Sequence, residues 1–133
     1  METNSLRKIQ TKILNDFQND FTLCFTSEER AYCYLQTKRI YINLNDFLNP
    51  TYRSLFDLLH EIGHIKTNTN KMRRFEEEYY ATVWAISKYK KYNIKLSSSD
   101  KRDFDKYIIK LAETCRKRKG KNIPNNNDLV LNW

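Results

Sequence analysis

Apolar positions along this chain follow two rhythms. Between residues 5 and 17, Leu6, Ile9, Ile13 and Phe17 fall on one face at helical spacing, predicting an amphipathic first helix. FTLCFT (21–26), AYCYL (31–35) and RIYINL (39–44) instead alternate apolar and polar residues, the mark of strands. A short polar turn near Gln36–Lys38 would join the last two as a hairpin. Asn49-Pro50 breaks the pattern, and a proline near a helix start suits its fixed φ. The helical period resumes from about Thr51 to Lys66, with Leu55, Leu58, Leu59 and Ile62 on the apolar face. TNTNK (67–71) reads as a loop. A third helix, from about Arg73 to Asn93, carries Phe75, Tyr79, Val83 and Ile86 on one face. LSSSD (96–100) is a turn in which Ser99 or Asp100 can cap a fourth helix. Along that helix Phe104, Tyr107, Ile108, Leu111 and Cys115 form a stripe. It ends in the basic run Arg116–Lys119 and at Gly120, chemistry that favours a helix C-terminus. NIPNNNDLVLNW reads as a loop-like tail whose last residues are apolar enough to dock on the body.

These elements predict an α+β fold with about four helices, in one domain spanning residues 1–133, with a basic, loop-like tail from about residue 119. A chain of 133 residues buries enough surface for one core. Hydrophobic residues make up 40% and aromatics 14%, which excludes a disordered tail. No apolar run reaches membrane-spanning length, and the start, METNSLRKIQ, lacks a signal-peptide core, so a soluble, cytoplasmic protein is expected. Cys24, Cys33 and Cys115 lack CxxC spacing and read as reduced, partly buried thiols. The net charge of +8 would suit an acidic partner or nucleic acid, but a lysine- and asparagine-heavy composition accounts for it as background, the reading preferred here.

The chain has only two histidines, and both lie in FDLLHEIGHIK (56–66). On a helix, His60 and His64 project from one face, one turn apart, and can offer two imidazole nitrogens to a single Zn²⁺. Glu61 lies about 100° around the helix from His60, able to reach a water on the metal without binding the ion. Two histidines fall at this spacing with Glu following by chance roughly once in a thousand such chains. A catalytic zinc site takes three protein ligands and leaves a fourth position for water. With no third histidine, the remaining ligand is a carboxylate or a cysteine, and RRFEEEYYATVWAISKY (73–89) holds the best candidates. Glu76 and Glu77 suit a helix N-terminus through their charge. Glu78 shares its face with Ala81 and Ala85, with Thr82 close by, and small residues let two helices approach closely. Glu78 is therefore preferred over Glu77, and Asp57 stands one turn before Glu61 as a supporting carboxylate. Gly63 would allow close packing behind the motif.

With the strand IYIN (40–43), the helix LLHEIGH (58–64) and E-x-x-A-x-x-W-A (Glu78, Ala81, Trp84, Ala85) in place, the sequence resembles the ImmA/IrrE-type metallopeptidases over roughly residues 20 to 90. The resemblance implies a minimal zincin, with a short antiparallel three-stranded sheet packed against the motif helix. It implies His60, His64 and Glu78 as zinc ligands and Glu61 as the catalytic carboxylate. It also implies a substrate class, helix-turn-helix repressors of phages or mobile elements. Two departures stand out. No further histidine follows the motif in Lys66–Asn68, and Thr82 replaces the family's asparagine four residues after the ligand glutamate.

The expected function is therefore a zinc-dependent endopeptidase acting on a protein partner, with a non-proteolytic antirepressor on the same frame as the alternative. Strand 39–44 is the expected substrate-facing edge, using Arg39, Ile40, Tyr41, Ile42 and Asn43. Tyr79 and Tyr80 are candidates to stabilise the oxyanion, although aromatics at helical spacing more often serve the core. The basic run 116–121 could touch phosphates, and a nucleic-acid protein with a structural metal closed by Cys24, Cys33 or Cys115 is the third reading.

Overall fold

A computed structural model describes residues 2–69 and 73–119, apart from the side chains at positions 2, 3, 115, 116, 118 and 119. The elements run α1 (Glu2–Asp16), β1 (Thr22–Thr26), β2 (Tyr32–Tyr34), β3 (Arg39–Asn43), α2 (Leu44–Leu48), α3 (Tyr52–Thr67), α4 (Arg74–Tyr89) and α5 (Ser98–Lys119). The architecture is α+β: one three-stranded sheet with helices packed on it.

The sheet is mixed, where an antiparallel one was expected. Its order is β1-β3-β2, with β3 parallel to β1 and antiparallel to β2. The β2–β3 hairpin forms as read, and β1 pairs in parallel with the far side of β3. The physical reason lies in β3 itself. Ile40 and Ile42 are its most buried residues, at 0% and 5% exposure, and an interior strand protects both its flanks. Arg39–Asn43 is consequently the central strand, so the expectation that it forms the substrate-facing edge is corrected. The free edges belong to β1 and β2.

Among the described residues there are five helices, where about four were expected. The short α2 sits where the sequence read continues from strand into loop. Asn43 ends β3 and caps α2, its side-chain oxygen accepting from the backbone N–H of Asn45 and Asp46. Five residues are too few to display a helical period, which hid the element. The third predicted helix stops at Tyr89, short of Asn93. Asn93 adopts a left-handed φ of 55°, Ile94 N–H donates to Tyr89 O and Asn93 N–H donates to Lys90 O, closing a Schellman turn. The cap of α5 is Ser97, whose hydroxyl accepts from Asp100 N–H at 3.1 Å, two residues earlier than Ser99. The tail after Lys119 lies outside the described residues.

Leu55, Phe56, Leu58, Leu59 and Ile62 of α3 are essentially fully buried and meet Ile40 and Ile42 of the sheet and Leu6 and Ile13 of α1 in one cluster. On its other flank α3 packs against α4 along a seam of small residues. Gly63 is the reason the seam is tight. A Cβ there would lie 2.7 Å from Ala81 O and 3.2 Å from a ring carbon of Trp84. No described helix is long and apolar enough to cross a membrane.

Candidate metal centre

Thr51 starts α3 with a reciprocal cap. Its hydroxyl accepts from Ser54 N–H at 3.0 Å, while Thr51 N–H donates to Ser54 Oγ at 2.9 Å. This fixes the helix phase, so the leucine face turned to the core leaves His60 and His64 turned to α4. Their ring centroids are 4.7 Å apart. From α4, Glu78 reaches both: Oε2 lies 3.3 Å from His60 Nε2 and Oε1 lies 3.2 Å from His64 Nε2. His60, His64 and Glu78 are the one group of three such donors among the described residues, with ligand atoms all within 4.8 Å of one another.

That cluster can bind a metal ion. Two ligands about 2.0–2.1 Å from a tetrahedral cation lie roughly 3.3–3.4 Å apart, close to the separations found. One further observation favours the fit. His60 Nε2 makes no well-formed hydrogen bond despite its distance from Glu78; it and Glu61 Oε2 are buried side-chain atoms without a partner among the described residues. Leaving such groups unsatisfied costs about 1–3 kcal/mol each, and a cation would engage the imidazole nitrogen.

The electrostatics follow from burial and convergence. Burial alone would raise the Glu78 carboxyl, but the His60 and His64 imidazoles converging on it from 3.3 and 3.2 Å hold it well below the usual carboxylate range. Burial lowers the His64 imidazole, yet the hydrogen bond and charge of Glu78, with Glu61 and Glu77 behind it, raise it overall. Glu61, 8% exposed, is pushed up by burial against the opposing pull of His60 and His64. Asp57 is also raised by burial, with Arg53 pulling the other way from 3.3 Å.

The structure brings together His60, Glu61, His64 and Glu78. Glu76 accepts from Arg73 N–H at 3.2 Å, which is its capping role, and Glu77 contributes charge from outside the cluster. Ala81 and Ala85 are fully buried in the seam, and the Thr82 hydroxyl donates to Glu78 O at 2.8 Å, supporting the backbone at Glu78. Neither Cys24 nor Cys33 joins the cluster. Cys33 faces it from β2 as a thiol, pushed up to about 12 by burial and by the charges of Glu61, Glu78 and Glu77. The side chains of Cys115, Arg116, Arg118 and Lys119 and the whole of residues 120–121 lie outside the described residues.

Neither Tyr79 nor Tyr80 is among the residues lining the cavity in front of the donor cluster. Tyr79 is 2% exposed in the core and Tyr80 stacks edge-on against it at 5.3 Å. The phenol at the site is Tyr107 of α5, whose hydroxyl donates to Glu78 Oε2 at 3.4 Å. Tyr107 lies on a stripe that reads as core, but at 41% exposure it is the stripe's outer margin. Only the docking of α5 over α4 turns it toward Glu78, so no local pattern marks it. His60, Glu61 and Glu78 open into a cavity of about 400 Å³, whose lining also includes Arg30, Ala31, Arg53, Phe104 and Tyr107. Arg53 also bonds Asp100 at 3.1 Å and lies over the Phe104 ring, tying the start of α5 to α3. Comparison of the chain with protein-family models, curated proteins and solved structures returns no match.

Proposed function

We propose that this chain is a zinc-dependent endopeptidase that cuts a peptide bond in a protein partner. The observation carrying the reading is Glu61, a buried carboxylate beside the three-donor cluster, with one oxygen unpartnered and the cavity in front of it. A structural metal site has no use for such a group. A hydrolytic one needs a base.

Zn²⁺ held by His60, His64 and Glu78 would supply Lewis acidity toward the scissile carbonyl and a water of lowered pKa. Glu61 takes the proton of the attacking water and returns it to the leaving nitrogen. Burial holds its carboxyl above its ordinary value, against the pull of His60 and His64. Arg30, Arg53 and Tyr107 are donors among the residues lining the cavity. With β3 occupied on both flanks, an extended substrate would add to the free edge of β2, Tyr32–Tyr34, whose Cys33 lies near Glu61.

The reading agrees with the resemblance to ImmA/IrrE-type peptidases, and with it the expected partner is a helix-turn-helix repressor of a phage or mobile element. Purified protein should carry about one zinc per chain. Glu61→Gln should keep that zinc and lose hydrolysis of the repressor. Cleavage by Glu61→Gln at the wild-type rate would overturn the mechanism, and a full cellular effect without cleavage would favour a binding role instead.

A further inference from the structure

Peptide hydrolysis puts negative charge on an oxygen, and that charge calls for a hydrogen-bond donor held in place beforehand. Water's oxygen bonds to the carbonyl carbon while the π pair moves onto the carbonyl oxygen and Glu61 takes a proton from the water. The pair then returns, the C–N bond breaks, and the proton passes from Glu61 to the leaving nitrogen. The chain has two histidines, and both belong to the donor cluster, so the oxygen must be met by another side chain. Besides His60, the donors lining the cavity are Arg30, Arg53 and Tyr107. Arg53 donates to Asp57 at 3.3 Å and to Asp100 at 3.1 Å, which commits it to holding α3 and α5 together. Arg30 is exposed, and its charge acts on Asp57. Tyr107 is the one that donates to a member of the cluster. Its hydroxyl lies 3.4 Å from Glu78 Oε2, and that same oxygen lies 3.3 Å from His60 Nε2.

The phenol stands on an anchored wall. Three residues before it on α5, Phe104 packs on Phe56 with ring centroids 4.5 Å apart and lies 4.7 Å beneath the Arg53 guanidinium. Glu61 lines the same cavity, 8% exposed, with its buried Oε2 unpartnered among the described residues. Base and phenol thus border one space of about 400 Å³. Resting on the peptidase reading above, we propose that the Tyr107 hydroxyl is a catalytic donor, turning from Glu78 to the scissile carbonyl oxygen as that oxygen gains charge. The phenol keeps its proton throughout, and Glu61 carries the proton that moves. The resting bond permits the exchange. At 3.4 Å it is longer than the about 2.7–2.8 Å usual for O–H···O, so an oxyanion competes for the same hydrogen. The ring is 41% exposed, which leaves it room to turn.

The test uses the full chain loaded with Zn²⁺ and a tryptic digest of a bacterial protein extract. New termini are read by mass spectrometry, and Glu61→Gln serves as the blank. The peptide cut fastest is then made alone, and again with a phosphonamidate in place of the scissile amide, as a mimic of the tetrahedral state. Wild type and Tyr107→Phe are compared at equal zinc content, checked by metal analysis. The expected result is a kcat lower by about 100-fold in Tyr107→Phe, with KM changed by less than about threefold. Calorimetry should show phosphonamidate affinity falling by a similar factor, while the uncut peptide binds Glu61→Gln and Glu61→Gln/Tyr107→Phe equally. A phenol that only supports the fold or the cluster would not separate the two ligands. An unchanged kcat, a loss confined to KM, or equal phosphonamidate affinity overturns the proposal and leaves the peptidase reading intact. An absence of Glu61-dependent cuts overturns both.

Discussion

Gly63→Ala adds a single methyl group at the tightest point of the molecule. An added Cβ would lie 2.7 Å from Ala81 O, where ordinary contact begins at 3.4 Å, so α3 and α4 would need to part by about 0.7 Å. The obstructing atom is a backbone carbonyl inside a packed helix, and no rotamer change removes it. Overpacking of this kind costs about 1–3 kcal/mol. Against it stands the helix propensity gained when glycine becomes alanine, about 1 kcal/mol. Because the clash is with backbone, the upper half of the overpacking range applies, and a net destabilisation of about 1–2 kcal/mol is expected. In urea this lowers the unfolding midpoint of the metal-free protein by roughly 0.5–1 M at unchanged slope. A second effect follows from position. Glu78 lies one turn before Ala81 on α4, so parting the helices draws its carboxylate from the imidazole pair. Ligand sets tolerate displacements of only about 0.5 Å, so Co²⁺ or Zn²⁺ affinity should fall at least about tenfold. A Gly63→Ala protein that is more stable than wild type and binds metal equally well would refute the close α3–α4 approach on which the site depends.

Three further outcomes are expected. Tyr107→Phe keeps the ring but removes the hydroxyl that holds Glu78 Oε2, so competition against a chromogenic chelator should show metal affinity reduced about 10–100-fold; wild-type affinity would exclude that role. In metal-free protein, the depressed Glu78 carboxyl contributes stability above its ordinary value of 4.5, lost as pH falls through the folded value; the raised His64 contributes below its ordinary 6.5, lost as pH rises through its folded value. Urea midpoints should therefore decline as pH rises above the ordinary His64 value of 6.5 in wild type and stay flatter in Glu78→Gln, and equal slopes would contradict the coupling. Tyr92→Phe removes the 2.7 Å bond from the buried Tyr92 hydroxyl to Asp16 Oδ2 at the end of α1, and should cost about 1 kcal/mol in the same assay, since Asp16 itself is exposed.

What could be read in the chain was whatever a local period expresses. The leucine face of α3 and the i, i+4 histidines set the motif helix and the side that carries the donor cluster without tertiary information. Ala81 and Ala85 marked the face of α4 that approaches α3, and so distinguished Glu78 from Glu77, which differ by one position on the same helix. Sheet order was not legible in this way. Alternation says that a segment is a strand, but β1 could pair with either member of the hairpin, and the choice of β3 depends on burying Ile40 and Ile42 between two neighbours. Tyr107 was hidden for a related reason. Its spacing is that of a core residue, and its hydroxyl meets Glu78 only because Arg53 and Phe104 anchor α5 across the cleft. Asn43 carried a signal that competed with itself, since it ends a strand and caps a five-residue helix in one step.

X-ray absorption at the zinc edge of metal-loaded protein tests the central claim most directly. The account predicts two imidazole nitrogens and carboxylate or water oxygens at about 2.0–2.1 Å, with the imidazole signal lost in a His60→Ala/His64→Ala variant. A sulfur at about 2.3 Å, or a zinc environment unchanged when both histidines are removed, would contradict it.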